Sequence, residues 1–124
     1  MEKVEEFHAA ADGPIGIPYS FEELHKRMTL IIEESVELTK AAMNLAAEDY
    51  PQEEQRILIQ DFLKEMCDVV YVIKGTAVTF GWDFDKAYDL VHKANMTKTP
   101  FTYNEDGKVV KGSNYKPCNL EECV

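Results

Sequence analysis

Two short acidic stretches carry the chemistry open to this chain: Glu33-Glu34-Ser35-Val36-Glu37 and, later, Glu65-Met66-Cys67-Asp68. Residues three apart share a helix face, so Glu34 with Glu37 and Glu65 with Asp68 form two carboxylate pairs, each on its own helix. The pairs are placed symmetrically about Pro51, in the only clear break between the helices. An antiparallel turn at Pro51 therefore sets them side by side. Four converging carboxylates repel one another and lose hydration, a cost that a bound cation offsets. The ligand set is hard oxygen without His or thiolate, which favours Mg²⁺, with Mn²⁺ as a substitute, over zinc or copper. Helical carboxylate sites for iron usually add a Glu-x-x-His pair, and neither stretch contains one. A Mg²⁺ site of this kind keeps open positions for water and phosphate oxygens, and there polarises a phosphoryl group or activates the water. Glu33, at the border of the cluster, is placed to orient that water or to help hold a second metal.

The elements that must position these acids are legible from periodicity. Ser20-Phe21-Glu22-Glu23 has the pattern of a capping box, with Ser20 as N-cap. Leu24, Met28, Ile31, Leu38, Ala42 and Leu45 then keep helical spacing to about Glu48. Measured at 100° per residue from Glu34, Leu38 lies near ~40°, Leu45 near ~20° and Leu30 near ~−40°, with Glu37 at ~−60° and Glu33 at ~−100°. Glu34 is thus embedded in the apolar stripe. A surface glutamate needs no explanation, but one inside the stripe does. Ile57 to Thr79 reads as the partner helix, on which Phe62, Val69 and Val72 flank Glu65 in the same way, and Asp68 repeats the offset of Glu37. Asp61 lies one turn earlier as an auxiliary acid. With 23 Asp and Glu in 124 residues such motifs arise by chance. Symmetry about Pro51 and placement within both stripes argue against chance here.

Around this hairpin, residues 2 to 11 read as a short helix ended by Asp12-Gly13-Pro14, with His8 in a packing or surface role. Asp83 caps a third helix from Phe84 to about Asn95, and Trp82 packs at the joint. Phe101 to Val110 reads as a small β-hairpin turning at Asp106-Gly107. The chain is read as one domain, residues 1–124, since this length builds one core and not two. No stretch of about 18 apolar residues or signal-peptide pattern occurs, so no membrane contact and a cytoplasmic location are expected. Cys67, Cys118 and Cys123 are odd in number and lack zinc-like spacing, which makes reduced thiols the default. The formal charge of −10 argues against nucleic acid as a partner. Residues 93 to 116 run against that trend, with five lysines against Glu105 and Asp106. A basic lobe on an acidic body suits a metal-bound polyphosphate, although solvated surface lysines account for it equally well.

Glu33-Glu34-x-x-Glu37, a gap of 27 residues, then Glu65-x-x-Asp68 resembles the motif of the MazG-like all-α nucleoside triphosphate pyrophosphohydrolases. That group includes dimeric dUTPases and phosphoribosyl-ATP pyrophosphohydrolases. Phe7-His8 with Gly13, His92 to Lys98, and Asp106 to Pro117 are similar to the branch labelled phosphoribosyl-ATP pyrophosphohydrolase-like. The resemblance spans nearly the whole chain, departing at Cys118-Asn119, where Pro-Asp would precede Leu120. It implies an all-α helical bundle: a long antiparallel helix hairpin, shorter helices and an irregular C-terminal hairpin or loop. It further implies Mg²⁺ on Glu34, Glu37, Glu65 and Asp68, with Glu33 and Glu34 as the catalytic acids and Glu33 either a further ligand or a water-positioning base. Asn95 and Lys98 match positions near substrate sugar and phosphates, and Lys111, Tyr115 and Lys116 are weaker candidates for the same. The implied reaction splits a nucleoside triphosphate into monophosphate and pyrophosphate, and the implied assembly is a homodimer or a dimer of dimers. Two other readings stay open: hydrolysis of phosphoribosyl-ATP, and a non-catalytic helical dimer that binds Mg-nucleotide.

Overall fold

Ser20 accepts a hydrogen bond from the Glu23 backbone N–H at 3.2 Å, the N-cap contact that its position anticipates. In the computed structural model, which describes residues 1–124, this cap opens helix α2, Phe21–Ala46. Helix α1, Glu2–Ala10, precedes it. Helix α3 runs Gln52–Phe80. It starts five residues ahead of Ile57, where apolar spacing alone would begin it. The reason is local: Pro51 sits at the N-cap with extended ψ of 149°, and Glu53 and Glu54 favour the positive end of the helix dipole in the first turn.

Arg27 of α2 meets Val72 and Thr76 of α3, while Glu34 meets Asp68, so the two helices run antiparallel. They pack together along their lengths, and α1 packs on α3. The best-shielded stretch is Gly75–Phe80, every residue of which is buried. Orphan carbonyls at a helix end need donors. Here Gly16 N–H reaches Val78 oxygen at 2.9 Å and Ile17 N–H reaches Thr79 oxygen at 2.8 Å. Gly81, at φ 71°, turns the chain out of the helix in the left-handed conformation that glycine adopts without strain. His8 is buried, and its Nδ1 lies 3.1 Å from the Pro14 carbonyl, which only accepts, so Nδ1 carries the proton. That is a packing role, as expected.

These helices form one compact unit, Met1–Gly81, and Trp82–Val124 form a second. In the second unit, Asp83 Oδ1 accepts from Lys86 N–H at 3.0 Å and caps helix α4, Phe84–Met96. Strands β1, Thr102–Tyr103, and β2, Val109–Val110, pair antiparallel with Thr102 opposite Val110. Asn104 Oδ1 accepts from the N–H groups of Asp106 and Lys108, and Gly107 at φ 77° completes the turn. A 3₁₀ turn at Glu121–Cys123 returns to α4, where Lys86 Nζ meets Glu122 at 2.9 Å. The chain is therefore mostly helical with one tiny sheet, an all-α MazG-like bundle as expected. No helix is long and apolar enough to cross a membrane.

Candidate active site

Helical spacing puts Glu34 on the face of α2 that meets α3, and puts Glu65 and Asp68 on the answering face. One carboxylate oxygen from each of the three lies within 4.8 Å of the others. Opposite oxygens around Mg²⁺ at ~2.1 Å stand about 4.2 Å apart, so a cation gathers the three with a movement of under roughly an ångström. The Glu65 side chain is only 13% exposed. Three anions this close, one of them well shielded, fit a divalent cation by both charge and donor type.

Glu37 stands apart from this group. Its side chain is 54% exposed and its Oε1 meets Lys40 Nζ at 3.5 Å. The expected four-acid convergence is thus three acids in place, with Glu37 one turn on and pointed at a lysine. Glu33 and Asp61 are exposed. Lys64 reaches the cluster from its open side, with Nζ 2.7 Å from Asp68 Oδ2 and 3.5 Å from Glu65 Oε1. The hydrogen bond to Asp68, and then the charges of Asp68 and Glu65, hold its ammonium above the ordinary lysine value.

A cleft of about 420 Å³ opens beside the cluster, lined by Glu34 and Asp68 together with Phe7, His8, Arg27 and Tyr71 among others. Arg27 was not singled out by the sequence. It donates from Nη2 to Val72 oxygen at 3.0 Å and from Nε to Thr76 Oγ1 at 3.3 Å, tying α2 to α3 two turns from Glu34. Burial lowers its guanidinium below the ordinary arginine value and the nearby Glu23 charge raises it again. It stays charged at any physiological pH. Gly75 makes room for it: a Cβ there would stand 2.3 Å from Arg27 Nη2 and 3.0 Å from His8 Nε2. The signal for Arg27 was present, since seven residues before Glu34 is about 20° away on the helix face. A larger cleft of about 630 Å³ between α1 and α3 holds a single acid, Glu2, and suits no cation.

The expected substrate contacts all lie in the second unit. Asn95 and Lys98 stand at the end of α4, joined by a Lys98 N–H to Asn95 oxygen bond of 3.2 Å. Thr97 Oγ1 accepts from Lys116 N–H at 2.8 Å, which brings Lys116 to the same end. The Lys111 ammonium lies 4.8 Å from the Tyr115 ring centroid, a cation–π pair.

Fold and carboxylate cluster together define a MazG-like helical hydrolase. The chain belongs to the phosphoribosyl-ATP pyrophosphohydrolase family, whose model matches residues 4–95. It is accordingly an enzyme, a pyrophosphohydrolase that cleaves phosphoanhydride bonds in nucleotide-type substrates. That family typically depends on a divalent metal. The match contains Glu33, Glu34, Glu37, Asp61, Glu65, Asp68 and Asn95, while Lys98, Lys111, Tyr115 and Lys116 lie beyond it. A comparison with curated proteins found no match.

Proposed function

We propose that this chain is a Mg²⁺-dependent nucleoside triphosphate pyrophosphohydrolase that releases a nucleoside monophosphate and pyrophosphate. The observation that carries the reading is the convergence of Glu34, Glu65 and Asp68 to within 4.8 Å on two facing helices. These three would hold the cation, and Glu37 would be a fourth ligand on leaving Lys40. A divalent ion held there would supply electrostatic stabilisation of phosphoryl oxygens and a more acidic water. Glu33 orients the attacking water and accepts its proton. The water oxygen bonds to the α-phosphorus as the bond to the bridging oxygen breaks, and the electron pair leaves with pyrophosphate. Asn95 and Lys98 are the first candidates for contacts to sugar and phosphate oxygens, and Lys111, Tyr115 and Lys116 are weaker ones.

A second reading, phosphoribosyl-ATP as substrate, is favoured by the family match over residues 4–95. Pyrophosphate release from the eight common NTPs and dNTPs and from phosphoribosyl-ATP, with Mg²⁺ and with EDTA, separates the two. The expected result is release from one or a few triphosphates that falls to background in EDTA. Release from phosphoribosyl-ATP alone selects the second reading, and release that survives EDTA removes the metal site.

Lys98→Ala should raise KM about tenfold through loss of one charge-assisted phosphate contact. An unchanged kcat/KM would take Lys98 out of the site. We also assign the chain to a homodimer or dimer of dimers, supported by Ile32, Met43, Ile57 and Leu63, which remain 58–67% exposed along the two long helices. Sedimentation velocity that returns a monomer refutes this. Three free thiols suit a reducing compartment, and the proposed location is the cytoplasm.

A further inference from the structure

Lys64 has no part in the reaction as described, yet it touches two of the three clustered acids. Its Nζ lies 2.7 Å from Asp68 Oδ2 and 3.5 Å from Glu65 Oε1, and its side chain is 65% exposed. Lys26 and Lys93 pair with acids elsewhere on their own helices. Lys64 is thus an exposed cation held on two of the three carboxylates that a divalent ion would need. We propose that Lys64 is a two-position cation and a substrate-binding residue. It neutralises Asp68 and Glu65 until a divalent ion takes those oxygens, and then turns its ammonium to a phosphate oxygen of the nucleotide. This inference rests on the function proposed above and adds a residue to that site.

Magnitudes make the exchange feasible. An exposed ion pair contributes little, so giving up Asp68 costs Lys64 little. A single charge leaves two of the three carboxylate charges uncompensated, which a divalent ion matches. Lysine also suits the second position, because its ammonium is a compact point charge with three donors on a flexible stem and binds phosphate without a fixed fork geometry. Substrate phosphates brought to the cluster then offer the freed ammonium a more highly charged partner than Asp61, the exposed acid three residues back on the same helix.

The proposal predicts opposite changes in two measurements on one variant. Lys64→Met keeps the stem and removes the charge. Mn²⁺ binding without nucleotide, followed by electron paramagnetic resonance, should tighten about three- to tenfold once the competitor is gone. At saturating Mg²⁺, the KM for the best nucleotide should rise about tenfold, with kcat changed much less. Lys64→Arg, which can grip a carboxylate with two parallel bonds, should bind Mn²⁺ no more tightly than the wild type. Lys26→Met serves as the control for simple loss of positive charge. Lys26 lies eight residues before Glu34, about 12 Å along the helix and beyond the screening length at physiological salt. Unchanged or weaker Mn²⁺ binding in Lys64→Met, an unchanged KM, or equal tightening in Lys26→Met would each overturn the proposal. Failure of the wild type to bind Mn²⁺ refutes the metal site itself, and that outcome is distinct from failure of Lys64.

Discussion

Replacing Glu34 by Gln, or Asp68 by Asn, should lower turnover by more than about a hundredfold while leaving the fold intact or more stable. The loss follows from the carboxylates' role as ligands: an amide oxygen is a neutral, weaker donor to a hard cation, and electrostatic stabilisation of a developing phosphoryl charge is among the largest contributions available to an enzyme. The stability result has the opposite sign for a physical reason. Oxygens of Glu34, Glu65 and Asp68 lie within 4.8 Å of one another, so removing one anion relieves its repulsion with the other two. Thermal melting should therefore show an unchanged or raised Tm in the variant that has lost activity. Retained activity in either variant would exclude the proposed site. A lower Tm would mean that the cluster contributes to folding by some route other than charge repulsion.

Gly75→Ala should destabilise the protein by about 2 kcal/mol, although glycine to alanine in a helix ordinarily stabilises by about 1 kcal/mol. A Cβ at this position would stand 2.3 Å from Arg27 Nη2. The guanidinium is the far end of a flexible side chain and can move aside, so the steric cost is small. Moving aside, however, gives up the bonds to Val72 oxygen and Thr76 Oγ1. Two hydrogen bonds from a charged donor contribute about 1.5 kcal/mol each or more, which exceeds the gain in helix propensity. Arg27→Met alone should cost about as much or more, because it loses the same two bonds without the gain in helix propensity. The sharpest form of the prediction is the double variant. With Arg27 already Met, Gly75→Ala should lose most of its cost or become stabilising, and the coupling should appear in the urea midpoint at constant m-value. A stabilising Gly75→Ala in the wild-type background would show that the Arg27 clamp carries no net energy.

The contrast between these two results marks what was legible in the sequence. Ser20 and Asp83 were identified as caps, and both accept the anticipated hydrogen bonds. The turn at Asp106-Gly107 is equally plain, because capping, turn geometry and helical period are local properties of the chain. Apolar spacing alone begins α3 at Ile57, because it says nothing of a polar first turn, whereas Pro51 marks the start to within a residue. Family membership was also written in the chain, in motifs spread over most of its length.

By itself, then, the sequence determined where the helices run, that each long helix carries an acidic pair within its apolar face, and that the two faces meet about Pro51. Tertiary structure alone decided which acids converge. Helical spacing fixes an angle about one axis, but it fixes neither the rotation of one helix against the other nor the rotamer a carboxylate takes. On those grounds Glu34, Glu65 and Asp68 gather, while Glu37, at the same angular offset as Asp68, turns out to Lys40. Arg27, Gly75 and Lys64 gained their places in the same way, through approaches between side chains whose distances depend on the packed pair of helices.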